Sequence, residues 1–374
     1  MKRKIVVTLM ICLLVGTIAI PISLAADDTI HIALTAPITG DYAEYGRNFE
    51  RSVTMGMDFI NSKGGVLGKK LILSVGDSKG DPKESATLAM KWTSDPTIVA
   101  QIGDFTSTCC LAGQPIYDQA GMIQLSPTAS HPDFAPGSTW SFSIVGTQAS
   151  EGPFMADWTY NELGFKKIAI LHINNDWGIV TADYFADAFK KLGGEVVAKE
   201  FYFEGDKDFK AVLTKLKSSD ADAFFMAAMY NDGALIAKQK ASLSWEIPIL
   251  GPSSLYSTQL TALGGDAVEG LYTNASFFAE DPDPAVQGYV QEFQKRFEAT
   301  PNFHAALAYD AILLLADAIE RAGTTESDPL REELAKTKDF PGLTGEITFT
   351  PAGDAVKKYK KVWVTNGKFE LYTK

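Results

Sequence analysis

Ile98-Val99-Ala100-Gln101-Ile102, followed by Thr106-Ser107-Thr108, and Met122-Ile123-Gln124-Leu125, followed by Ser126-Pro127-Thr128-Ala129-Ser130, decide the fold of this chain. Each is a short apolar run with a hydroxyl-rich loop directly behind it. Short apolar runs that alternate with helical patterns are the mark of βαβ units, and parallel strands buried on both faces read as continuous apolar stretches. In an open parallel sheet, ligands collect beyond the C-terminal ends of the strands, where hydroxyls, backbone N–H groups and helix N-termini converge. The two loops are therefore candidate binding loops for a small anionic or zwitterionic solute.

Outward from this stretch the alternation continues in both directions. Ile30 to Ala36 reads as a strand, and Glu44 to Asn61 as a helix with Phe49, Val53, Met57 and Ile60 on one face. Gly64-Gly65-Val66-Leu67-Gly68 turns into the strand Leu71 to Val75, and a helix spans Lys83 to Thr93. A helix from Thr108 to Gln119 joins the two runs quoted above. Residues 126–152 are rich in Ser, Pro, Thr and Gly and read as a long loop leading to a domain crossing, with Ser141 to Val145 as a connecting strand.

A second alternation starts at the strand Lys167 to His172. It runs through a helix at Ala182 to Leu192, the strand Glu195 to Phe203, a helix at Phe209 to Ser218, the strand Ala223 to Ala228, a helix at Asp232 to Ala241 and the strand Ile247 to Leu250. After the run Leu271 to Ala275, Glu280-Asp281-Pro282-Asp283-Pro284 reads as an exit linker. Helices at Ala285 to Ala299 and His304 to Ala322 follow, and then short strands at Gly342 to Pro351 and Val362 to Tyr372. The fold class is α/β, with two doubly wound parallel sheets built from discontinuous stretches of one chain.

The N-terminus carries Lys2-Arg3-Lys4, an apolar stretch from Ile5 to Ile20, the helix-breaking Pro21 and the small residues Ser23 and Ala25, the pattern of a cleaved secretory signal peptide over residues 1–25. Cys12 is not expected to be a lipidation site, because Met10 and Ile11 stand where a small residue is needed. Cleavage leaves 31 Lys and Arg against 46 Asp and Glu, a net charge of −15. So acidic a chain argues against nucleic acid or an anionic membrane as partner. About 349 residues exceed what one core usually holds, so two domains are expected. Cys109 and Cys110 read as small buried residues at a helix start, and His31, His131, His172 and His304 show no ligand spacing, so neither a disulfide framework nor a metal or cofactor site is expected.

The residues Ala36-Pro37-Ile38-Thr39-Gly40, Tyr45-Gly46, Ile60-Asn61 through Gly68-Lys69-Lys70, Asp77 with Asp81-Pro82, Ile102-Gly103 with Ser107, Ser126-Pro127 with Ala129-Ser130, Glu151-Gly152-Pro153, Ala169-Ile170-Leu171-His172 with Gly178, Asp208-Phe209, Leu250-Gly251 and Gly265-Asp266-Ala267 with Glu269-Gly270 follow one another in family order. Together they resemble the type I periplasmic solute-binding proteins of the leucine/isoleucine/valine-binding branch, which feed ABC importers. The resemblance covers essentially the whole mature chain. It implies two lobes joined by a three-segment hinge that closes on ligand, with residues 26–147 and 277–355 in the first lobe and 148–276 and 356–374 in the second. It also implies a non-enzymatic periplasmic receptor whose partners are a small carboxylate-bearing solute, a branched-chain or related amino acid by family default, and membrane permease subunits.

Site residues carried over from the resemblance are Ser107 for the ligand carboxylate, Ala129 and Ser130 for its polar head, Tyr45 as a cover, and Trp177 and Tyr230 on the second lobe; Thr108 joins them as a candidate because it opens the same helix, whose free N–H groups favour an anion. Ser107 also reads as a helix N-cap, and Tyr45 as a hydrophobic staple. Where the family places an acid against the ligand ammonium, this chain has Ser253, and Asp232 is the candidate substitute, with helix capping as its other reading. That departure keeps aromatic or aliphatic carboxylates and amides open as ligands, and a sensory binding protein remains the second class. The family's disulfide is absent, since its partners would fall at Thr106 and at Lys79 or Gly80. A hydrolase built on Ser107, Ser126 or Ser130 with His131 or His172 lacks the Gly-x-Ser-x-Gly frame, and Pro132 places His131 in a turn.

Overall fold

The computed structural model describes residues 29–373, so the signal-peptide reading lies outside the described residues. The chain begins β1 (Thr29–Ala36), α1 (Ala43–Ser62), β2 (Lys70–Asp77), α2 (Pro82–Thr93), β3 (Ile98–Gly103), α3 (Ser107–Ala120), β4 (Ile123–Ser126) and β5 (Ser141–Ser143). These strands form one parallel sheet in the order β2-β1-β3-β4-β5. Ile32, Ala33 and Leu34 are each fully buried, because helices cover both faces of this sheet. The winding direction reverses between β1 and β3, and the crevice beyond their C-terminal ends is where such a sheet binds.

The second half repeats the plan. It contains α4 (Gln148–Asp157), β6 (Lys167–Ile173), α5 (Asp176–Lys191), β7 (Glu195–Tyr202), α6 (Lys210–Lys217), β8 (Ala223–Ala227), α7 (Tyr230–Ser242), β9 (Ile249–Leu250), α8 (Thr258–Gly264) and β10 (Tyr272–Ala275). Its strands run β7-β6-β8-β9-β10, the same winding as in the first sheet, with a reversal between β6 and β8. The chain then supplies α9 (Pro284–Phe297), α10 (Phe303–Ala322), α11 (Ser327–Ala335) and the hairpin β11 (Phe340–Gly342) and β12 (Gly345–Ile347). It ends with β13 (Lys360–Thr365) and β14 (Lys368–Leu371), which extend the second sheet antiparallel from β10.

Helices α9 and α10 return to the first lobe. A Cβ on Gly56 of α1 would lie 2.4 Å from Ile312 Cγ2 of α10, and Ser52 Oγ meets the Tyr289 hydroxyl of α9 at 2.9 Å. The first lobe is thus completed by residues 141 positions or more beyond β5, which makes the discontinuity a packing fact.

Several elements differ from the sequence reading. Residues 126–152 were expected as loop, yet α4 starts at Gln148; its Gly152 and Pro153 hid it, although the glycine is what lets it approach α5, where a Cβ would lie 2.8 Å from the Phe185 nitrogen. Helix α5 starts at Asp176, ahead of the expected Ala182, because the Asn175 side chain caps Gly178 N–H at 2.9 Å. Helices α8 and α11 were not anticipated, and the two C-terminal strand regions are hairpins. The last of them turns at Asn366 and Gly367, both at positive φ, which is the chemistry of a two-residue hairpin loop.

One half-buried acid ties the first lobe together. Glu44 Oε1 accepts from Asn48 Nδ2 (2.8 Å) and from Asn302 Nδ2 (3.0 Å), the residue that caps α10, while Oε2 is buried with no hydrogen-bond partner. Burial pushes its carboxyl up to about 7 from an ordinary 4.5. A raised folded-state value favours the protonated form, so the stability it confers is complete below about 4.5 and is lost as pH rises through about 7. Glu44→Gln should therefore gain about 1 to 2 kcal/mol over the natural chain at pH 8 and nothing near pH 4. Thermal melts at the two pH values check this, and an equal shift at both would refute it.

Candidate ligand-binding site

Both reversal points face one another across a cavity between the lobes, bordered by Ser107, Ser130, Gln148, Glu151, Trp177, Ser253 and His304, all of them buried. On the first lobe, Thr106 ends the loop after β3 in extended conformation, and its hydroxyl accepts from Cys109 N–H at 3.2 Å. Thr106 is thus the N-cap, and Ser107 is the first helical residue. This corrects the capping alternative for Ser107: its hydroxyl oxygen accepts from His131 N–H (3.2 Å), which leaves its O–H to donate. The first turn of α3 also offers unpaired N–H groups and the positive end of the helix dipole.

The second hydroxyl loop is shaped by Ser126, whose oxygen accepts from Thr128 N–H (3.2 Å) and Ala129 N–H (2.9 Å). That turn brings Thr128 and Ser130 to the cavity. Ala129 instead packs behind it beside Cys110 and Phe134, and its carbonyl accepts from Ser143 Oγ at 2.6 Å, so the expected Ala129 carbonyl is directed away from the cavity. Thr108 also stands behind Ser107, with its hydroxyl buried and unpartnered. Cys109 and Cys110 are buried free thiols, and burial pushes Cys109 up to about 12, which fits packing better than reactivity.

Of the three aromatic residues expected at the cleft, Trp177 borders the cavity, whereas Tyr45 and Tyr230 do not and instead pack against each other beside it. Tyr45 stacks on Phe105 with ring centres 4.1 Å apart and meets His304 edge-on at 4.8 Å. Its hydroxyl accepts from Tyr230 N–H and donates to the Ser254 carbonyl, both at 3.2 Å, so one side chain of the first lobe is latched to two loops of the second. Tyr230 opens α7 and lies against Tyr45, 5.1 Å between centres. Trp177, in the first turn of α5, borders the cavity directly.

The expected acid is elsewhere. Asp232 sits in the first turn of α7, accepts from the Tyr202 hydroxyl at 3.2 Å, and is raised to about 6 by burial; it does not border the cavity. Ser253 does border it, and its N–H donates to Glu151 Oε1 at 2.7 Å. The same oxygen accepts from Asn274 Nδ2 (2.9 Å), while Oε2 accepts from Gln148 Nε2 (2.7 Å), which also donates to Ser130 Oγ (3.0 Å). In the sequence Glu151 shows only as part of a Glu-Gly-Pro motif, and neither Gln148 nor His304 carries a local signal for this site. Burial pushes His304 down to about 3, so its ring is neutral, and its Nδ1 has no partner among the described residues.

Among the described residues no serine is paired with a histidine ring. Ser107 meets the backbone of His131, the His131 ring accepts from Asp133 N–H at 3.1 Å, and His172 Nδ1 faces the Ile173 carbonyl at 2.9 Å. Among the described residues no helix is long and apolar enough to cross a membrane.

A family model described as a periplasmic binding protein matches residues 29–368. The Leu/Ile/Val-binding protein BraC3 of Rhizobium johnstonii is 30% identical over 350 residues, covering 92% of this chain and 91% of its own. The structure of the branched-chain amino acid transporter substrate-binding protein LivJ of Streptococcus pneumoniae, in complex with isoleucine, superposes with a TM-score of 0.86 at 27% identity over 92% of this chain and 99% of that one. A solute-binding protein of an ABC transporter from Rhodopseudomonas palustris, in complex with 3,4-dihydroxy benzoic acid, shares the fold with a TM-score of 0.84 at 24% identity over 91% and 95%.

Proposed function

The chain belongs to the periplasmic binding protein family, and from that premise we propose that it is the extracytoplasmic receptor of an ABC importer, trapping a small carboxylate-bearing solute between its lobes and handing it to the permease. The observation that carries this reading is the Ser107 hydroxyl, freed from capping by Thr106 and set with the first turn of α3 on the wall of the interlobe cavity. Hydroxyls and open helix N–H groups suit a carboxylate, and Trp177 supplies an apolar face for the rest of the ligand. A branched-chain or related amino acid is the leading ligand. The serine at 253 favours, as a second reading, an aromatic or aliphatic carboxylate without an ammonium group.

Residues 144–147, 276–283 and 348–359 connect the lobes and serve as the hinge. The Tyr45 latch makes the closed form depend on cross-lobe hydrogen bonds, so ligand exchange requires the lobes to part by rotation. Isothermal titration against amino acids and aromatic acids tests the ligand class. Scattering should show compaction on binding, and a radius unchanged by a saturating ligand would count against the clamp.

A further inference from the structure

We infer that Glu151 is the acid that receives the ligand's ammonium group, in place of the acid missing at position 253, and that the receptor is therefore built for zwitterionic α-amino acids. The inference rests on the carboxylate-clamp reading above. Glu151 is 4% exposed and borders the cavity from α4, the helix that follows the first crossing between lobes. Donors from α4 itself, from the loop after β9 and from β10 converge on its two oxygens, through Gln148, Ser253 and Asn274. Oε2 takes one of these donors and keeps acceptor capacity.

The surroundings are short of donors. Gln148 Oε1 and His304 Nδ1 are both buried without hydrogen-bond partners, and both residues border the same cavity as Glu151. A buried acceptor left unpaired is costly, and the Gln148 amide oxygen beside a carboxylate describes a site that lacks a multi-donor cation; His304 adds a second acceptor in the tautomer that carries its proton on Nε2. An ammonium group has three N–H donors and no acceptor. It complements this wall, whereas a plain carboxylic acid brings only more negative charge toward Glu151.

The spacing selects the class of amino acid. Gln148 Nε2 bridges Ser130 Oγ and Glu151 Oε2, so the hydroxyl side of the clamp and the acidic side are separated by a single amide. Ammonium and carboxylate groups that share one carbon fit so short a span, and those at opposite ends of a chain do not.

The test is calorimetric titration of the processed full chain with the twenty proteinogenic amino acids, and with 4-methylpentanoate and 3-phenylpropanoate, the des-amino counterparts of leucine and phenylalanine. An amino acid should bind the natural chain at least about tenfold more tightly than either des-amino acid. Glu151→Gln, which keeps shape and most donors satisfied, should weaken that amino acid by about 10- to 100-fold and leave the des-amino acids unchanged or tighter. Adding Ser253→Glu to Glu151→Gln should restore much of the loss. A folded Glu151→Gln protein with undiminished amino acid affinity overturns the inference, as does equal weakening of both ligand kinds or a natural preference for the des-amino acids; the clamp reading survives each of these. Failure of the natural chain to bind any of these probes overturns the clamp reading and the inference together.

Discussion

Gly178→Ala is expected to destabilise the chain by about 3 kcal/mol or more, and Gly46→Ala by a similar amount. A Cβ on Gly178 would lie 2.1 Å from the Ile173 carbonyl oxygen, and one on Gly46 would lie 2.1 Å from the Pro37 carbonyl oxygen. Both obstacles are backbone, so no side chain can rotate away. The two sites are equivalent: each glycine lies in the first turn of the helix that follows the first strand of its lobe, and each is preceded by a buried aromatic, Tyr45 or Trp177. The close approach presses the helix start onto the strand end and so fixes the preceding ring, Trp177 at the border of the cavity and Tyr45 in its bonds to Ser254 and Tyr230. Loss of the glycine should therefore lower the melting temperature and weaken ligand binding together. Gly288→Ala is the control, since nothing lies within 4 Å of its Cβ position inside α9, and there alanine should be neutral or stabilise by up to about 1 kcal/mol. Melting curves of Gly178→Ala and Gly288→Ala that coincide would show that the strand–helix junction yields.

The same geometry explains what was legible in the sequence. Runs such as Ile98–Ile102 and Ala223–Ala228 announce parallel strands because helices bury both faces, so no polar alternation interrupts them. Loop residues directly behind those strands were legible as site candidates for the same topological reason, and Ser107, Ser130, Trp177 and Ser253 do border the cavity. Ala129 and Asp232 follow strands equally closely but face Ser143 and Tyr202, because turn geometry decides which of two adjacent residues points inward, and a local pattern does not encode it. Glu151 was illegible as a site residue for a different reason. Two of the three donors that hold it lie 102 and 123 residues away in sequence, and its helix carries a glycine and a proline in place of a periodic apolar stripe.

Ser107→Ala should weaken a carboxylate ligand by about 1.5 to 3 kcal/mol, the worth of a hydrogen bond to a charged group, or roughly a 10- to 150-fold rise in Kd. The expectation depends on separating binding from capping, and the two adjacent hydroxyls make the separation possible. Thr106→Ala removes the cap of α3, which should cost about 1 kcal/mol of stability. Ser107→Ala leaves that cap in place and removes only an acceptor for His131 N–H, so its melting temperature without ligand should fall less than that of Thr106→Ala. The two variants should therefore differ in kind: the first reads mainly in stability, the second mainly in affinity. Ser107→Thr retains the hydroxyl and should recover part of the binding if the 1% exposed site accepts a methyl group. Titration and melting of the three variants decide the matter. A Ser107→Ala protein that binds as tightly as the natural chain while melting lower would reduce Ser107 to a support for the 131 loop and move the carboxylate contact to Ser130 and the open N–H groups of α3.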